Sequence, residues 1–411
     1  MGATISTVSA LLKDNYKGPL QRQVNDEVWI LSQVDENRED LVGNQAVVPL
    51  HIGRTGGIGA RAESGTLPTH GNQPSARAVY DLKYLYGRLR LTGPGMAKTK
   101  NDTGAFIRML TFEVEGLKND LAKDLARQVY GDGTAAIATV ASSTGGGTAT
   151  VVVTLSSVEA LTKGQIYVGA FLDIGSLANP VLRNPASSYG IVSAVTPATP
   201  SFTATSASGG NFGTPAGSDL VFRAGNALAS SVSNEITGLQ QLVATATGTV
   251  GGINSGTSSY WDNQRINMSS TPINLDTIHQ MLNTLRIAGG TGAYKIVTDY
   301  GVQLQVFSLL QTQVRFNEPM TLKGGFQTLQ YNGNDIVADI DCPWGKMFFL
   351  KDEHIKNYTN MDWEFLEEDG KMLKWVVDND AWDAVIARYM NLGIDRRNVL
   401  GVIYGITSSG V

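Results

Sequence analysis

The sequence predicts an α+β chain in which extended β-segments and an inserted all-β block surround one long helix. Three features indicate this fold class: an amphipathic helix that ends at a YGDG turn, a Gly-rich stretch with the alternation of a β-hairpin, and a charge-poor block of short β-type runs. With 411 residues the chain exceeds the usual size of one domain, so we expect two or three domains.

The composition and charge of the chain argue against several classes of function. Charged residues make up 17% of the chain, against about 25% in an average soluble protein, so we expect subunit contacts to cover much of the surface. The net charge of −5 argues against a nucleic-acid reader, and the single Cys342 excludes an internal disulfide framework. We expect no signal peptide and no membrane span. The MGATIS start fits the myristoylation pattern, but so short a motif often arises by chance.

Residues 46–100 are predicted to form a long β-hairpin with a Gly-rich tip. Apolar and polar residues alternate on both sides of the tip, and the apolar ones are Val48, Leu50 and Ile52, then Val79, Leu82, Tyr84, Tyr86, Leu89 and Leu91. Such an arm has little core of its own. It therefore either lies on another surface or is disordered.

The segment 103–133 is predicted to be one helix of about 40 Å. Its apolar residues are spaced by threes and fours: Phe106, Leu110, Val114, Leu117, Leu121, Leu125 and Val129. Asp102 or Thr103 can cap the start, and Gly131 and Gly133 end the helix. A helix this long needs a large partner surface, although it could also be the core helix of an ordinary α+β domain.

Residues 134–225 form a block with only six charged side chains and many Thr, Val, Ser, Ala and Gly residues. Its runs TATVVVTL, QIYVGAFLDI, YGIVSAV, SFTAT and DLVFRA are typical of a small barrel or sandwich. Because the block directly follows the long helix, we interpret it as an inserted domain. A low-complexity linker is the alternative.

Residues 272–330 shift to an α/β pattern. Asn274 or Asp276 can cap a helix closed by Gly289, the run YKIVTDY predicts a buried strand, and GVQLQVFSLLQTQV predicts a second helix. From residue 335 onward the pattern predicts strands, with a tight hairpin at EEDGK and a final turn and strand in NLGIDRRNVLGVIYGI.

We find no motif that demands catalysis, a cofactor or a metal, so the chain is predicted not to be an enzyme. The four histidines, His51, His70, His279 and His354, lack metal-ligand spacing, and no H-E-x-x-H, CxxC, Walker A, G-x-G-x-x-G or G-x-S-x-G motif is present. Asp339, Asp341 and Cys342 could be imagined as metal ligands, but the alternation there better fits an edge strand that ends at Pro343. The acidic residues 362–369 lack the order of an EF-hand.

Charge is segregated along the chain. Residues 50–100 carry a net charge of +6 and residues 335–397 a net charge of −6. Segments of opposite sign could attract each other within a chain or between neighbours, or both could simply be solvated faces.

The order of these parts resembles the major capsid proteins of tailed bacteriophages, which have the Hong Kong 97 type of shell fold. The resemblance rests on the segments GLKNDLAKDLARQVYGDGT, SNEITGLQQLV, SSYWDNQRIN, YKIVTDYGVQLQVFSLL, LQYNGNDIVADIDCPWGKMFFL and LEEDGKMLKWVVDNDAWDAVIARYMNLGIDRRNVLGVI. Each segment is weakly specific alone, and their joint order is more specific. Together they span most of residues 100–405 outside the β-block.

This resemblance implies a set of domains. They are an N-terminal arm (1–45), an extended β-hairpin loop (46–100), the spine helix of the peripheral domain (101–133), an inserted β-domain (134–225), the axial domain with its connections (226–334), and peripheral-domain strands with the C-terminal segment (335–411). The arm begins so early that any scaffolding would come from another protein. A lysine–asparagine crosslink of the kind some relatives make is not carried over, because Lys98 and Lys100 lie at the base of the loop.

By the same resemblance, we expect an icosahedral shell around the double-stranded DNA of a tailed phage, assembled in the host bacterial cytoplasm and found in the virion. The expected partners are copies of the chain in hexamers and pentamers, with scaffolding, portal and decoration proteins as further candidates, DNA bound only non-specifically, and no membrane. The rivals are a bacterial nanocompartment shell of the same fold and, in another class, an enzyme or adhesin built around the β-block.

We expect the arm and hairpin to drape over neighbouring subunits, with the basic hairpin meeting a neighbour's acidic C-terminal strands. The candidate intersubunit residues are Arg54, Arg61, Arg77, Arg88, Arg90, Glu364, Glu367 and Glu368. Charge reversal at Arg88 and Arg90 is expected to impair assembly and leave the monomer folded.

Overall fold

The computed structural model describes most of the chain. The described residues are 29–94, 103–176, 182–185, 188–226, 234–244, 248–255, 259–313, 320–321, 327–366, 374–376 and 379–408, with the backbone alone for 29, 103–111, 311–313, 320–321 and 327–328.

The described helices and strands follow in chain order. The α-helices are α1 (Trp29–Gln33), α2 (Thr103–Val129), α3 (Glu159–Thr162), α4 (Leu275–Ile287) and α5 (Tyr300–Gln313). The first strands are β1 (Asp35–Asn37), β2 (Leu41–Val42), β3 (Gln45–His51), β4 (Ser75–Asp81), β5 (Lys83–Thr92), β6 (Ala138–Thr144), β7 (Thr150–Leu155), β8 (Phe171–Gly175), β9 (Gly190–Thr196), β10 (Ser201–Ser206) and β11 (Leu220–Arg223). The later strands are β12 (Thr249–Val250), β13 (Ile253–Asn254), β14 (Gln264–Thr271), β15 (Lys295–Thr298), β16 (Met320–Thr321), β17 (Gln327–Tyr331), β18 (Asn334–Ala338), β19 (Lys346–Leu350), β20 (Ile355–Phe365), β21 (Lys374–Trp375), β22 (Ala381–Ile394) and β23 (Gly401–Ile406).

The long helix α2 is confirmed, and it lies against strand β5. A Cβ atom at Gly87 of β5 would lie 2.6 Å from Leu121 Cδ1 and 3.1 Å from Leu117 Cδ1, so the absence of a side chain lets the helix approach the sheet closely. The helix ends at Val129 before the YGDG turn, where Gly133 adopts a φ of 79° that favours glycine. The predicted caps at Asp102 and Thr103 lie outside the side chains that the structure describes.

The predicted hairpin forms only in part. β3 and β4 pair antiparallel from Gln45↔Asp81 to His51↔Ser75. After Leu82, however, the chain leaves this sheet, and β5 pairs along β22 from Lys83↔Met390 to Thr92↔Ala381. The prediction of one hairpin over 46–100 is therefore wrong for residues 83–92, because the apolar face of β5 is covered by α2 and its edge by a strand from the end of the chain.

Part of the predicted N-terminal arm packs on its own chain. In α1, Ile30 and Val34 are 2% and 7% exposed and belong to the main core, and β1 pairs parallel with β20. These described residues do not drape over a neighbour, since their apolar side chains find their partners within the chain. Residues 1–28 of the predicted arm lie outside the described part.

A seven-stranded sheet carries the helices α4 and α5. Its strand order is β14-β23-β19-β15-β18-β17-β16. The two predicted helices and the predicted strand YKIVTDY are confirmed, and Asn274 caps α4 by accepting a 2.7 Å hydrogen bond from the Thr277 N–H.

Two predictions for the C-terminal part need correction. Residues 335–411 do not form one set of strands: β18, β19 and β23 belong to the sheet of α4 and α5, and β20–β22 belong to the sheet of β5. Strand β18 is not an edge strand either, since it lies between β15 and β17. The alternating sequence could not distinguish an edge strand from an interior one, because alternation is also found in strands at a sheet interior.

The predicted hairpin around EEDGK is also different in its described flanks. β20 and β21 both run antiparallel to β22, at Glu364↔Ala387 and Lys374↔Asp383, so the two flanks follow one edge of β22 in the same direction. They do not pair with each other in the part that the structure describes. The EEDGK turn itself lies outside that part.

The β-block is a closed six-stranded barrel of order β10-β7-β6-β11-β8-β9. Its own core includes Val153, Leu172 and Phe202, each at most 1% exposed. The Ile137 N–H donates to the Val221 carbonyl at 2.8 Å, so the chain enters and leaves the barrel at neighbouring points, as an insertion must. The sequence pattern missed strand β6, and the linker alternative is excluded.

Gly238 gives a test of the close packing between its own segment and the end of α2. A Cβ atom there would overlap the backbone carbonyl oxygens of Gln128 and Gly131, which cannot move as a flexible side chain can. We expect Gly238→Ala to destabilise the chain by about 2 kcal/mol and to lower the midpoint of thermal unfolding by several degrees. Gly56→Ala is the matched control, because no heavy atom lies within 4 Å of its Cβ position. Equal melting of the two variants would contradict this packing.

Candidate assembly surfaces

The described side chains of helix α2 before residue 125 are less buried than those at its end. Residues 125–130, at its C-terminal end, are all buried, but none of the described side chains from 112 to 124 is. Among these, Leu117 and Leu121 lie against Gly87 of β5. The apolar stripe of this half is therefore only partly buried, and its exposed part offers a surface for further contacts.

A groove runs beside this half of the helix, along β5. Leu121 and Leu125 of α2, Tyr84 and Tyr86 of β5, and Trp363 of β20 line it. Tyr84 and Tyr86 are 46% and 56% exposed, and both rings pack edge-on against Tyr389. Aromatic side chains held in this way offer a rigid apolar surface with little entropy to lose on contact.

The tip of the β3–β4 hairpin has no core. No residue from 53 to 75 is buried, and Ile58 and Leu67 are 76% and 82% exposed. The base is firmly held instead: Ala46 and Ala78 are fully buried, and the Tyr80 hydroxyl donates to the Ile394 carbonyl at 2.9 Å. A rigid base therefore presents a tip in which no residue from 53 to 75 is buried by its own chain.

The basic residues of the hairpin divide into two groups. Arg54, Arg61 and Arg77 are exposed, and none of them pairs with a carboxylate of the described residues. Arg61 instead donates to the backbone oxygens of Thr66 and Ala60, at 2.9 and 3.0 Å. These three cations are free to meet an acidic partner.

Arg88 and Arg90 have a carboxylate partner within the chain. They lie on β5 opposite β22, and both bond Asp383, with Arg90 Nε at 2.7 Å from Asp383 Oδ1. The hydrogen bond from Arg90 lowers the pKa of Asp383, which shows that the ionised pair is favourable in the folded chain. Arg88→Glu and Arg90→Glu would place carboxylates against Asp383, so we now expect that double reversal to weaken the monomer itself.

The acidic half of the predicted contact is only partly described. Glu364 is exposed on β20 and follows Trp363, which lines the groove, although Glu364 itself is not among the lining residues. Glu367 and Glu368 lie outside the described residues. An intersubunit role for these eight residues remains a prediction.

Sequence reasoning missed an ion cluster at the end of α2. Arg127, 7% exposed, bonds Glu235, 5% exposed, through two hydrogen bonds of 2.5 and 3.0 Å and also bonds Asp124, which accepts from Arg223 of β11 at 3.4 Å. Burial lowers the pKa of Arg127, but the charges of Asp124 and Glu235 outweigh it and raise the pKa. The cluster ties the helix, the barrel exit and the segment after it together. No sequence spacing indicated it, because Arg223 and Glu235 lie about 100 residues from Asp124 and Arg127.

A turn after β18 joins the barrel to the seven-stranded sheet. Lys163 of the barrel bonds Glu159 and the Cys342 carbonyl, both at 2.7 Å, and Glu159 accepts from the Trp344 N–H at 3.0 Å. Asp339 of the same turn accepts from the Tyr130 hydroxyl at 2.7 Å. Asp339 and Cys342 thus link elements, and Asp341 bonds Asp339 within the turn through its backbone N–H. No group of metal-ligating side chains occurs among the described residues.

The histidines show contacts of an ordinary kind. His51 bonds Gln73 at 2.6 Å and His354 bonds Asp395 at 2.9 Å, and His70 and His279 are exposed. Across the helices that the structure describes, none is long and apolar enough to cross a membrane.

Asp341 gives this region a predicted pH dependence. Burial, and then the charge of Asp339, raise the pKa of Asp341 to about 6. The folded chain disfavours the ionised form of Asp341. The protonated carboxyl therefore contributes its full stabilisation of the fold below about pH 4, and this contribution is lost as the pH rises through about 6. We expect Asp341→Asn to add about 2 kcal/mol to the free energy of unfolding at pH 8 and little at pH 4. Thermal unfolding of the unassembled chain at both pH values measures this.

The matched control is Asp35→Asn, whose carboxylate is 83% exposed. A gain from Asp341→Asn that is the same at pH 4 and pH 8 would contradict the assignment.

Comparison with known proteins identifies the fold. No family model and no curated protein matches the sequence. Among solved structures, a chain of the cyanophage A-1(L) capsid asymmetric unit matches 99% of this chain and 100% of its own length, with a TM-score of 0.59 and 15% identity. A capsid chain of a native GTA particle (TM-score 0.48, 9% identity, covering 98% of this chain and 99% of its own) and the SrpI encapsulin of Synechococcus elongatus (0.47, 9%, 97% and 95%) are also similar. The chain thus has the α+β fold of Hong Kong 97 type capsid proteins, with a six-stranded barrel inserted after its long helix.

Proposed function

We propose that this chain is the major capsid protein of a tailed bacteriophage, and that its copies assemble into an icosahedral shell around double-stranded DNA. The observation that carries the proposal is a capsid fold over 99% of the chain, together with two elements that the chain leaves incompletely buried, the half of α2 before residue 125 and the hairpin tip. Both gain cover when copies meet.

The physical basis is burial shared between copies. Each apolar side chain that leaves water contributes roughly 25 cal/mol per Å² before the costs of association. One such contact is weak, but a closed symmetric shell repeats it many times, so assembly becomes strong without any tight pairwise interface. The role is structural, with no catalytic step, and the copies are arranged as hexamers and pentamers.

The hairpin tip and the groove along β5 fit each other in chemistry. The tip carries Ile58 and Leu67 together with Arg54 and Arg61, and the groove is lined by exposed tyrosines and by Trp363, which precedes the exposed Glu364 on β20. Apolar groups would supply the attraction and the charges would supply steering and register. A neighbour's hairpin lying on α2 and β5 would therefore cover both exposed elements in one contact.

The remaining partners follow from the role. Scaffolding, portal and decoration proteins would act on the assembled shell, which would form in the host bacterial cytoplasm and be found in the virion. DNA would be held without sequence preference, in keeping with the net charge of −5.

The hairpin tip gives the first test of assembly. We expect Ile58→Asp with Leu67→Asp to abolish shell formation and to leave the circular dichroism spectrum and melting of the monomer unchanged, because both side chains are exposed in the single chain. Negative-stain electron microscopy and sedimentation of purified protein measure the result. Val152→Asp, an equivalent change on the barrel, is the control and should still assemble. Normal shells from the double variant would refute the proposed role of the tip.

Charge steering has a separate test. Arg54→Glu with Arg61→Glu should slow assembly at low salt at least tenfold, measured by light scattering, and the difference should shrink as salt screens the charges. Adding Glu364→Arg should restore part of the rate if this carboxylate faces the hairpin of a neighbour. A double reversal that assembles at the native rate at low salt would exclude steering.

The content of the particles distinguishes a phage shell, which holds DNA, from a nanocompartment, which holds protein.

A further inference from the structure

Strands β17 and β18 are joined by a two-residue turn made of Asn332 and Gly333. Tyr331 and Asn334 pair across it. The two turn residues have φ values of 50° and 74°, as a type I′ turn requires. Asn332 is also the one asparagine of the sequence that is followed by glycine. Glycine has no Cβ atom, so its backbone nitrogen is the least shielded one that can follow an asparagine.

The groups on both sides of this peptide bond are open to solvent. Asn332 and Gly333 are exposed. Among the described residues, neither the side-chain amide of Asn332 nor the N–H of Gly333 has a hydrogen-bond partner. No heavy atom lies within 4 Å of the Cβ position of Gly333. Nothing in the described part of the chain therefore shields this amide or this nitrogen.

Asn211 shows how a similar asparagine is protected. It is exposed in a loop of the barrel, but the residue after it is Phe212, which is 1% exposed. The Phe212 N–H donates to the Thr148 carbonyl at 2.9 Å. Its nitrogen is thus both buried and hydrogen-bonded, and the Gly333 nitrogen is neither.

A buried side chain holds the turn closed. Asn334 is 2% exposed, and its Nδ2 donates to the Tyr331 and Asn332 carbonyls, both at 3.1 Å. Its Oδ1 accepts from the Tyr294 N–H at 2.7 Å. In a type I′ turn the nitrogen of the third residue lies roughly opposite the Cβ atom of the second, about the Cα–C bond. The side chain of Asn332 can therefore meet the Gly333 nitrogen only when the turn opens.

We propose that Asn332 is a site of spontaneous deamidation, which opening of the β17–β18 turn controls. The Gly333 nitrogen attacks Cγ of Asn332 and loses its proton to solvent, and ammonia leaves from Cγ, so that a succinimide ring closes. Water then adds to one of the two ring carbonyls. Addition at Cγ restores the main chain and leaves aspartate, and addition at the backbone carbonyl leaves isoaspartate. The sum is amide plus water to acid plus ammonia, with no change of oxidation state.

The products would alter the turn. Either product adds a carboxylate, and isoaspartate also lengthens the main chain by one CH₂ group. A longer main chain no longer fits a two-residue turn, so Asn334 could not keep its bonds to both carbonyls. A shell protein is not replaced after assembly, so the modified copies would accumulate as the particle ages. This accumulation rests on the proposed function, whereas the reaction belongs to the single chain.

Peptide mass spectrometry of the purified, unassembled chain tests the site. After incubation at mildly alkaline pH in heavy-oxygen water, we expect Asn332 to be converted at least about tenfold faster than Asn211, because Gly333 has no Cβ atom and a free N–H. Each conversion should take up one heavy oxygen atom, and aspartate and isoaspartate should both appear. Asn332→Gln is the matched control, since it keeps the amide but would have to close a larger ring, and its amide should stay intact.

Two further measurements test control by the turn. The chain unfolded in urea has no turn, so it should convert Asn332 faster than the folded chain. In Asn334→Asp the carboxylate can accept from Tyr294 but cannot donate to the two carbonyls, so conversion in the folded variant should also be faster than in the native chain. Circular dichroism at the incubation temperature checks that the variant is folded.

The outcomes separate the two parts of the proposal from the shell function. An Asn332 that stays intact in the folded chain while the unfolded chain is converted would overturn the site, and so would conversion no faster than that of Asn211. Equal rates in the folded and unfolded native chain would overturn control by the turn. Because all these rates are measured on unassembled chains, they do not depend on whether the native chain forms particles.

Discussion

The structure depends on an imbalance of burial along helix α2. Its last turn is packed on all sides, with Val129 fully buried and Tyr130 at 2% exposure, and its described side chains before residue 125 have no full cover. Helical propensity alone supports only marginal structure, so the burial of the last turn carries much of the stability of this helix. The chain thus fixes one end of its longest element more firmly than the other.

The buried ion cluster explains how one end can be fixed so firmly. Arg127 and Glu235 are nearly inaccessible to water, and breaking such a pair leaves an uncompensated buried charge that costs about 3–5 kcal/mol. This cost makes the joint specific: the helix end, the segment after the barrel and Arg223 of the barrel have one arrangement in which all charges are paired. The less buried half of the helix is therefore held in a defined direction, which a repeated contact requires.

Sequence patterns predicted the elements better than their partners. The helices α2, α4 and α5 were found because their apolar spacing is set within one segment, and the barrel was found because its strands are separated by regular turn residues. The pairing of β5 with β22 was missed, since the two strands are almost 300 residues apart. An alternating pattern predicts a strand but not the strand with which it pairs. The bonds of Arg88 and Arg90 to Asp383 were missed for the same reason, and so were the members of the ion cluster.

The hairpin and the barrel differ in how far each is stabilised by its own chain. A closed barrel has no free strand edge, and its core is complete, so it adds surface without needing a neighbour. The hairpin tip has neither a core nor a covering layer and is useful only in contact. A shell built from such chains would owe its cohesion to the dependent element, whereas the barrel is stabilised by its own core and by its bonds to the body of the same chain. That division explains how an insertion can enter directly after the longest helix of the fold: its entry and exit are neighbours, and the ion cluster closes the joint beneath it.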